Sequence, residues 1–410
     1  MYADGRDSAL TNPSEIAHIV GHSGEIDVLL GWTVRSPAWL NEPDFRCRTF
    51  MAGYGLAHAV TSGRCVPLPV RLSAVPAHLA AFRPDVAVIA GIARGDGYAC
   101  TSAVGWADAA ALSATRVVVE VAATDTDRGA TEPGGTDLGT TDLGATDLGA
   151  IDLGAIDLGG PVIPGNIVAT VARPGQLTND SATQRPADEI DVRIGELVVS
   201  LLPEQPTLQF GPGGIGEGIA RALNKPVNIW SGLLTDAMAE LDQRGLLLGP
   251  AVAAYTWGGE PILRLATKGL VRLTPVSTTH DIGVLAAIPR FVGCNTAIQI
   301  ALDGSVNVER VGGRTISSVG GHADFCAGAS RSIDGISIIA LRSCTNRGES
   351  TIVPVVEVVS TARCDVQVVV TEHGIADLRG VGEAERVRRM IQIAAPQHRA
   401  SLSSASGGQR

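Results

Sequence analysis

The residue types best placed for chemistry lie in glycine-containing stretches of the second half of the chain. In VNIWSGLLTDAM (residues 227–238), an apolar run leads into Ser231-Gly232, and a helix start follows. Enzymes with α/β folds often hold a ligand or present a reactive side chain at the carboxyl end of a strand. The first question is therefore whether Gly232 makes room for a ligand or stands where a reactive group belongs.

A second stretch, LQFGPGGIGEGIARAL (residues 208–223), carries Gly211, Gly213 and Gly214 between a predicted strand and a predicted helix. Backbone N–H groups at a helix N-terminus can bind a phosphate or a thioester oxygen. The spacing is not that of G-x-G-x-x-G, and tight packing of strand against helix is the favoured alternative. Both interpretations stay open at this point.

A third stretch, VGGRTISSVGGHADFCAGAS (residues 311–330), places His322 and Asp324 beside serines and glycines. The pair could serve as a base and the group that orients it. Two residues apart, they share a face in extended backbone and diverge in a helix. A hydrogen-bonded structural histidine is the favoured interpretation, and a role for His322 in catalysis is the alternative.

The elements that must position these residues form an α/β pattern. Continuous Val/Ile runs predict buried parallel strands, and an alanine-rich helix between two of them completes a strand–helix–strand unit. The predicted strands of the first half are residues 25–32, 84–93 and 116–123, with the helix at 102–115. In the second half we predict strands at 206–210, 227–230, 335–341, 350–356 and 365–374, and helices at 191–204, 211–223 and 382–394.

These elements predict two tandem domains, residues 1–190 and 191–400, followed by a disordered tail at 401–410. Within the first domain, residues 124–160 include five pentapeptides that begin TDLGT and end IDLGG. Their Asp-Leu core resembles a pentapeptide-repeat solenoid, but five units are too few for the stacked coils that such a fold needs. We predict an expanded, acidic surface loop.

Composition narrows the classes of partner. Across 410 residues the net charge is −10, which argues against a nucleic-acid surface. No signal peptide is recognisable, and no apolar run approaches the roughly 20 residues of a membrane helix. We therefore expect a cytoplasmic protein that binds neither nucleic acid nor membrane. The seven cysteines include no C-x-x-C pair, so we expect reduced thiols and no metal site.

Several of these stretches together resemble the acetyl-CoA hydrolase/transferase family, which includes 4-hydroxybutyrate CoA-transferase and succinate:acetate CoA-transferase. The likeness rests on residues 208–223 and 312–330 and on two further blocks, IPRFVGCNTAIQIALDGSVNVE (288–309) and VVVTEHGIADLRG (368–380), with looser likeness at 84–121. The resemblance implies an α/β fold of two tandem CoA-transferase (NagB/RpiA-like) domains with mostly parallel sheets. It also implies acyl-CoA and small carboxylates as partners, with coenzyme A as substrate or product and no permanently bound cofactor. The sequence leaves open whether the protein is a homodimer.

In such enzymes a glutamate attacks the acyl-CoA carbonyl and becomes a glutamyl-CoA thioester. The matching stretch here is NIWSGLLTDA, in which Ser231 and Asp236 keep register, Trp230 takes a histidine position and Gly232 takes the glutamate position. Glycine has no side chain and cannot be the nucleophile. Glu217 and Asp236 are nearby in sequence, but the resemblance does not favour either as a replacement.

Other elements of the site match the family. Asn295 corresponds to an asparagine that helps hold the thioester oxygen, and Gly320-Gly321 correspond to a turn whose N–H groups face the same oxygen. Glu120 persists in its strand, and His322 lies where it could line the acyl pocket. The glycines of the 211–214 turn and of the 320–321 turn are the predicted coenzyme-binding residues.

Two hypotheses follow from this pattern. The first is an acyl-CoA-processing enzyme that uses water as nucleophile, with the oxyanion hole and a base such as His322 or Glu120. The second is a catalytically degenerate member that binds CoA esters or takes part in assembly. Gly232 and the pentapeptide expansion favour the second, and Asn295 with Gly320-Gly321 favours the first.

Overall fold

The computed structural model describes residues 1–3, 11–101, 103–121, 157–172 and 186–407. The chain forms two compact units. The first comprises Met1–Val70, Ala74–Ala182 and Val252–Ser277, and the second comprises Arg71–Ser73, Thr183–Ala251 and Thr278–Arg410. The assignment of domains to 1–190 and 191–400 stays a prediction. In the structure the chain passes to the second unit near residue 183 and returns to the first for residues 252–277.

The described helices are α1 Pro13–Ile19, α2 Ala57–Thr61, α3 Val75–Phe82, α4 Ala107–Ser113, α5 Glu189–Ser200, α6 Gly214–Ala222, α7 Asp236–Ala239, α8 Glu260–Thr267, α9 Val276–Thr279, α10 Ile282–Ala287, α11 His322–Arg331, α12 Glu383–Ile393 and α13 Arg399–Gly407. Short 3₁₀ turns lie at Ala38–Asn41, Tyr54–Leu56, Leu72–Ala74, Arg363–Asp365 and Pro396–His398. Among the described residues, no helix combines the length and the apolar character needed to cross a membrane.

The described strands are β1 Tyr2–Ala3, β2 Ile26–Leu30, β3 Phe45–Thr49, β4 Cys65–Pro67, β5 Val86–Arg94, β6 Gly97–Cys100, β7 Arg116–Val121, β8 Ile167–Ala172, β9 Thr207–Phe210, β10 Asn228–Ile229, β11 Leu233–Thr235, β12 Ala251–Ala253, β13 Tyr255–Trp257, β14 Val271–Leu273, β15 Phe291–Asn295, β16 Gln299–Ala301, β17 Val306–Asn307, β18 Arg310–Val311, β19 Arg314–Thr315, β20 Ile336–Ala340, β21 Ile352–Val353, β22 Val368–Thr371 and β23 Gly374–Asp377.

The first unit is organised by a sheet in the order β4-β3-β2-β1-β5-β7-β8, with β6 paired to β5. All neighbours on the main path are parallel, and β6 is antiparallel. Strands β5 and β7 are buried along most of their length, and buried parallel strands are typically continuous in Val and Ile. The predicted strand–helix–strand unit is confirmed, with α4 as its helix.

The second unit contains a six-stranded sheet in the order β10-β9-β15-β20-β22-β23. The first five strands are parallel, and β23 returns antiparallel to β22. Parallel strands end at one edge, and Gly211 and Gly232 follow β9 and β10 there, whereas Asn295 is the last residue of β15. The α/β prediction with mostly parallel sheets is confirmed.

Two predictions on loop-like segments have different outcomes. The pentapeptide loop lies outside the described residues except for Asp157–Gly160, where Leu158 is buried and Asp157 pairs with Arg94. The prediction of a disordered tail from residue 401 is wrong as far as Gly407, because Arg399–Gly407 forms a helix. Leu402 of that helix is buried in an apolar cluster of the second unit, and this packing stabilises a segment whose Ser/Ala/Gly composition alone does not predict a helix.

Candidate active site

The loop after β10 holds Gly232 through contacts of its two preceding residues. Ser231 is buried, and its Oγ donates to the Phe210 carbonyl at 3.2 Å. Trp230 Nε1 donates to the Thr279 carbonyl at 3.1 Å. The loop is therefore fixed both to the end of β9 and to the last residue of α9.

The space in front of Gly232 is filled by an imidazole. A β-carbon built on Gly232 would lie 2.9 Å from His280 Nε2 and 3.0 Å from its Cε1. Such distances are shorter than real β-carbons tolerate, so a larger side chain at 232 cannot coexist with this ring position. The alignment of Gly232 with the family's nucleophile position stays a prediction from the sequence.

His280 is buried in the second unit between a hydroxyl group and an aromatic ring. Its Nδ1 is 2.9 Å from Thr279 Oγ1, and its ring lies 4.5 Å from the Phe325 ring, centroid to centroid. Only 2% of the residue is exposed. Burial lowers the pKa of His280 to about 3, so the ring is neutral at physiological pH.

The same ring faces the turn at Gly320-Gly321. A β-carbon on Gly321 would lie 2.5 Å from His280 Nε2 and 2.6 Å from Cδ2. Gly320 has φ +61°, a left-handed conformation that glycine adopts without strain. Gly321 is the N-cap of α11, and the N–H groups of a first helical turn have no partner within their helix. The turn thus presents backbone donors beside the imidazole.

Asn295 ends β15, and helix α11 packs against that strand. Its side chain is buried, and Nδ2 lies 3.7 Å from Cys326 Sγ on α11. A cysteine attacks an acyl group as a thiolate, so Cys326 could act as a nucleophile only if its thiol ionised. Burial raises the pKa of Cys326 to about 12, so the thiol stays protonated and is not a nucleophile.

His322 and Asp324 do not form a base and its orienter. Both lie in the first turn of α11, where they point apart. Asp324 accepts from Ser73 N at 3.1 Å and Ser73 Oγ at 2.7 Å, whereas His322 Nδ1 is 2.8 Å from Thr361 Oγ1. The two side chains have separate partners, so the structure does not pair His322 with Asp324 as a base and its orienter.

His322 remains a buried polar group near the site. Its Nε2 makes no hydrogen bond within the described residues. Burial lowers the pKa of His322 to about 4, and the backbone of Thr296 offsets only part of that effect. A role in lining the acyl pocket stays a prediction.

The glycines that follow β9 are of two kinds: some pack closely on backbone atoms, and others have open space beside them. Gly216 packs tightly, since a β-carbon there would lie 2.0 Å from the Gly211 carbonyl oxygen. Gly218 packs equally closely on the Asp191 carbonyl of α5, at 2.3 Å. Gly211 and Gly213 instead have no atom within 4 Å of a built β-carbon, and Gly213, the N-cap of α6, has φ +104°. Gly214 is the first residue of α6. The packing glycines are thus distinct from those predicted to bind coenzyme.

The remaining predicted carboxylates have other partners. Glu217 accepts from Ala187 N at 3.0 Å and pairs with Arg221, so it is engaged on the outer side of α6. Glu120 belongs to the first unit, is fully buried in β7, and accepts from Thr11 N at 2.9 Å. In the described part of the chain, no group of three or more His, Cys, Asp and Glu side chains is arranged for a metal ion.

The residue that sequence reasoning missed is His280. The only local signal is the histidine of the stretch TTHDIG, and nothing there relates it to Gly232. The contact becomes visible only when the strands of the second sheet are in place. The structure brings Gly232, His280 and Gly321 together, with Asn295 at the same strand edge.

Comparison with known proteins shows which sequences and structures this chain resembles. Residues 264–406 match the model of the acetyl-CoA hydrolase/transferase C-terminal domain. A succinyl-CoA:acetate/propanoyl-CoA:succinate CoA transferase of Fasciola hepatica is 33% identical over 254 residues, which are 58% of this chain and 53% of that protein. An acetyl-CoA hydrolase of Eremothecium gossypii is 31% identical over 232 residues, 52% of this chain and 42% of that protein.

The chain spans about half the length of the curated relatives that it matches. A solved 4-hydroxybutyrate CoA-transferase of Porphyromonas gingivalis superposes with a TM-score of 0.68 at 22% identity, covering 100% of this chain and 93% of that one. This likeness supports the CoA-transferase type of α/β fold. The resemblance seen in the sequence is confirmed by these matches, and residues 264–406 are similar to the C-terminal domain of the acetyl-CoA hydrolase/transferase family.

Proposed function

We propose that the protein hydrolyses CoA thioesters of small carboxylic acids and does not transfer CoA through a covalent carboxyl intermediate. The observation that carries the proposal is the pair Gly232 and His280. The position that resembles the family's nucleophile has no side chain, and an imidazole fills the adjoining space. A glutamyl thioester therefore has no place to form, whereas water needs no anchored nucleophile.

The oxyanion-stabilising part of the site supports turnover. Asn295 and the Gly320-Gly321 turn supply amide donors suited to the oxygen of a tetrahedral intermediate. Removing one such donor typically costs about 10²–10³ in rate, so these groups alone contribute substantially to catalysis. The glycines Gly211 and Gly213 leave open space before α6, which suits a coenzyme phosphate or thioester oxygen.

The substrate class follows from the relatives. Their printed names include acetyl-CoA hydrolase and CoA transferases of succinate, propanoate and acetate. By analogy we infer that acyl-CoA and small carboxylates are the partners here and that coenzyme A is released as product, with no resident cofactor. Location in the cytoplasm, the absence of nucleic-acid or membrane partners and a homodimeric state stay predictions.

The deciding experiment incubates the purified protein with acetyl-, propionyl-, butyryl- and succinyl-CoA, with and without labelled acetate. Release of free thiol without incorporation of label into acetyl-CoA supports hydrolysis. Incorporation of label at a rate comparable to thiol release contradicts the proposal, because it requires a nucleophilic carboxylate that Gly232 does not provide.

The second candidate is a catalytically degenerate CoA-ester-binding or assembly protein. The observation that favours it is the tight fit of His280, whose ring packs at a tilt against Phe325 and lies between two glycine turns. Under this candidate, calorimetry detects binding of acetyl-CoA while no thiol is released from any of the four thioesters.

A further inference from the structure

His280 is a buried, neutral imidazole that lies against both the Gly232 loop and the Gly320-Gly321 turn. Its Nε2 is the ring atom nearest to the built β-carbons of Gly232 and of Gly321 alike, at 2.9 and 2.5 Å. Its other nitrogen is 2.9 Å from Thr279 Oγ1. The ring is therefore oriented with Nε2 between the loop of the lost nucleophile and the turn that carries the oxyanion donors.

Both glycines are needed for this position of the ring, because a β-carbon at either would collide with it. The neighbouring Trp230 reinforces the arrangement, since its Nε1 holds the Thr279 carbonyl at 3.1 Å. Two departures from the family pattern, Trp230 and Gly232, thus contact the same two-residue segment. The loop at Gly232 and the segment that carries His280 are therefore packed as one arrangement.

We propose that His280 is the catalytic base of this site and activates the water that cleaves the thioester. The inference rests on the proposed hydrolysis and adds to it the identity of the base, a residue other than His322 or Glu120. A Thr279 hydroxyl that accepts from Nδ1–H leaves Nε2 as the proton acceptor. This is the same division of roles that orients a histidine base through its second nitrogen.

The step balances as follows. The water oxygen bonds to the acyl carbon while its proton passes to Nε2, and the carbonyl electron pair moves onto the oxygen facing the Gly320-Gly321 turn. Collapse of the tetrahedral intermediate breaks the C–S bond, and the imidazolium proton passes to the departing sulfur. The products are free coenzyme A thiol and a carboxylic acid, which ionises in water.

Burial keeps His280 neutral in the resting site, so its lone pair is available at pH 7. The negative charge that develops on the thioester oxygen favours the protonated ring, because an opposite charge within a few ångströms raises the pKa of a base. Basicity therefore increases at the moment when the proton is transferred.

The test compares thiol release by the wild type, His280→Gln and His280→Ala, with His398→Gln as a control that removes a remote histidine of the second unit. Glutamine keeps a polar side chain but cannot take a proton at neutral pH. We expect kcat for His280→Gln to fall by about 10²–10⁴, with KM for acetyl-CoA changed little and His398→Gln unaffected. Thermal melts verify that each variant is folded.

Chemical rescue shows whether the His280 ring acts as a base or only fills space. His280→Ala leaves an imidazole-sized space between the two glycine turns, and added imidazole should restore kcat by at least about 10-fold. Pyrrole, which has the same shape and no basic lone pair, should restore nothing. Equal rescue by pyrrole would mean that the ring serves only to fill space, and would overturn the inference.

Different results would contradict the proposed hydrolysis and the proposed role of His280. Absence of thiol release by the wild type overturns the proposed hydrolysis and the base with it. Thiol release that survives His280→Gln overturns the role of His280 alone and leaves hydrolysis intact.

Discussion

Helices α6 and α11 both begin at a glycine N-cap, yet the space in front of them differs. Before α6, built β-carbons on Gly211 and Gly213 meet nothing within 4 Å. Before α11, a built β-carbon on Gly321 meets the ring of His280 at 2.5 Å. Glycine at a helix start thus has two uses in one unit, leaving space open and admitting a side chain from elsewhere.

The difference shows which observation distinguishes a ligand-facing glycine from a packing glycine. Sequence spacing is similar for the two turns, because both have several glycines directly before a helix. What differs is the surroundings that each missing β-carbon would meet. Variants that alter one turn or the other test this distinction.

The largest effect is expected from placing a carboxylate at position 232, where the His280 ring fills the adjoining space. Gly232→Glu alone should exchange no CoA, because its β-carbon would lie 2.9 Å from His280 Nε2. Gly232→Glu combined with His280→Ala removes the obstacle and should raise incorporation of labelled acetate into acetyl-CoA by about 10²-fold or more over the single variant. His280→Ala alone is the matched control. Equal exchange by the single and double variants would show that the ring moves aside readily.

A smaller effect is expected when the same turn is overfilled by one methyl group. Gly321→Ala places a β-carbon against His280 and within 3.0 Å of the Phe325 ring. Overpacking of a rigid site costs about 1–3 kcal/mol, and contacts this short predict the upper end. Urea denaturation measures the loss. A double variant with His280→Ala should recover most of it, and failure to recover would place the strain elsewhere.

The neutral histidines of this region predict a dependence of stability on pH. Burial lowers the pKa of His280 to about 3 and that of His322 to about 4, below the value of about 6.5 in an unfolded chain. Below pH 6.5 the unfolded state therefore binds more protons than the folded state, and stability falls as the pH falls. Between pH 6.5 and 5.5 the two histidines should together lower the free energy of unfolding by about 2 kcal/mol.

The measurement is urea denaturation at pH 7.5, 6.5 and 5.5. The two histidines should leave the free energy of unfolding nearly constant above pH 7. His280→Gln should reduce the loss of that free energy below pH 6.5 by about half. An unchanged decline in the variant would mean that His280 is protonated in the folded protein or that other groups govern this range.

Much of the fold could be predicted from the sequence because local patterns determine it. The Val/Ile runs of β5, β7, β20 and β22 are long enough to identify buried parallel strands, and the glycine turn before α6 marks a strand-to-helix junction. Helix α13 could not be predicted in this way. Its stability comes from burying Leu402 in a cluster contributed by distant strands and helices.

The candidate site likewise contains residues that the sequence could predict and residues that it could not. Gly232, Asn295 and Gly321 lie in blocks that resemble the family, so their register was accessible from the sequence. The separation of His322 from Asp324 depended on where α11 begins, and sequence left that open between an extended and a helical backbone. His280 depended on a contact between distant segments, which no local pattern specifies.

The smallest effect on stability is expected at the open turn, and it tests the comparison most directly. Gly211→Ala adds a methyl group where a built β-carbon has no atom within 4 Å, so the free energy of unfolding should change by less than about 0.5 kcal/mol. If coenzyme approaches this backbone, the methyl group occupies ligand space, and the Kd for acetyl-CoA should rise by about 10-fold, which corresponds to about 1.4 kcal/mol. Calorimetric titration measures the affinity, and a serine replacing the exposed Ile333 is a control distant from the turn in sequence. An unchanged Kd in Gly211→Ala would mean that the open space before α6 does not receive the coenzyme, and the contrast between the two helix starts would then concern packing alone.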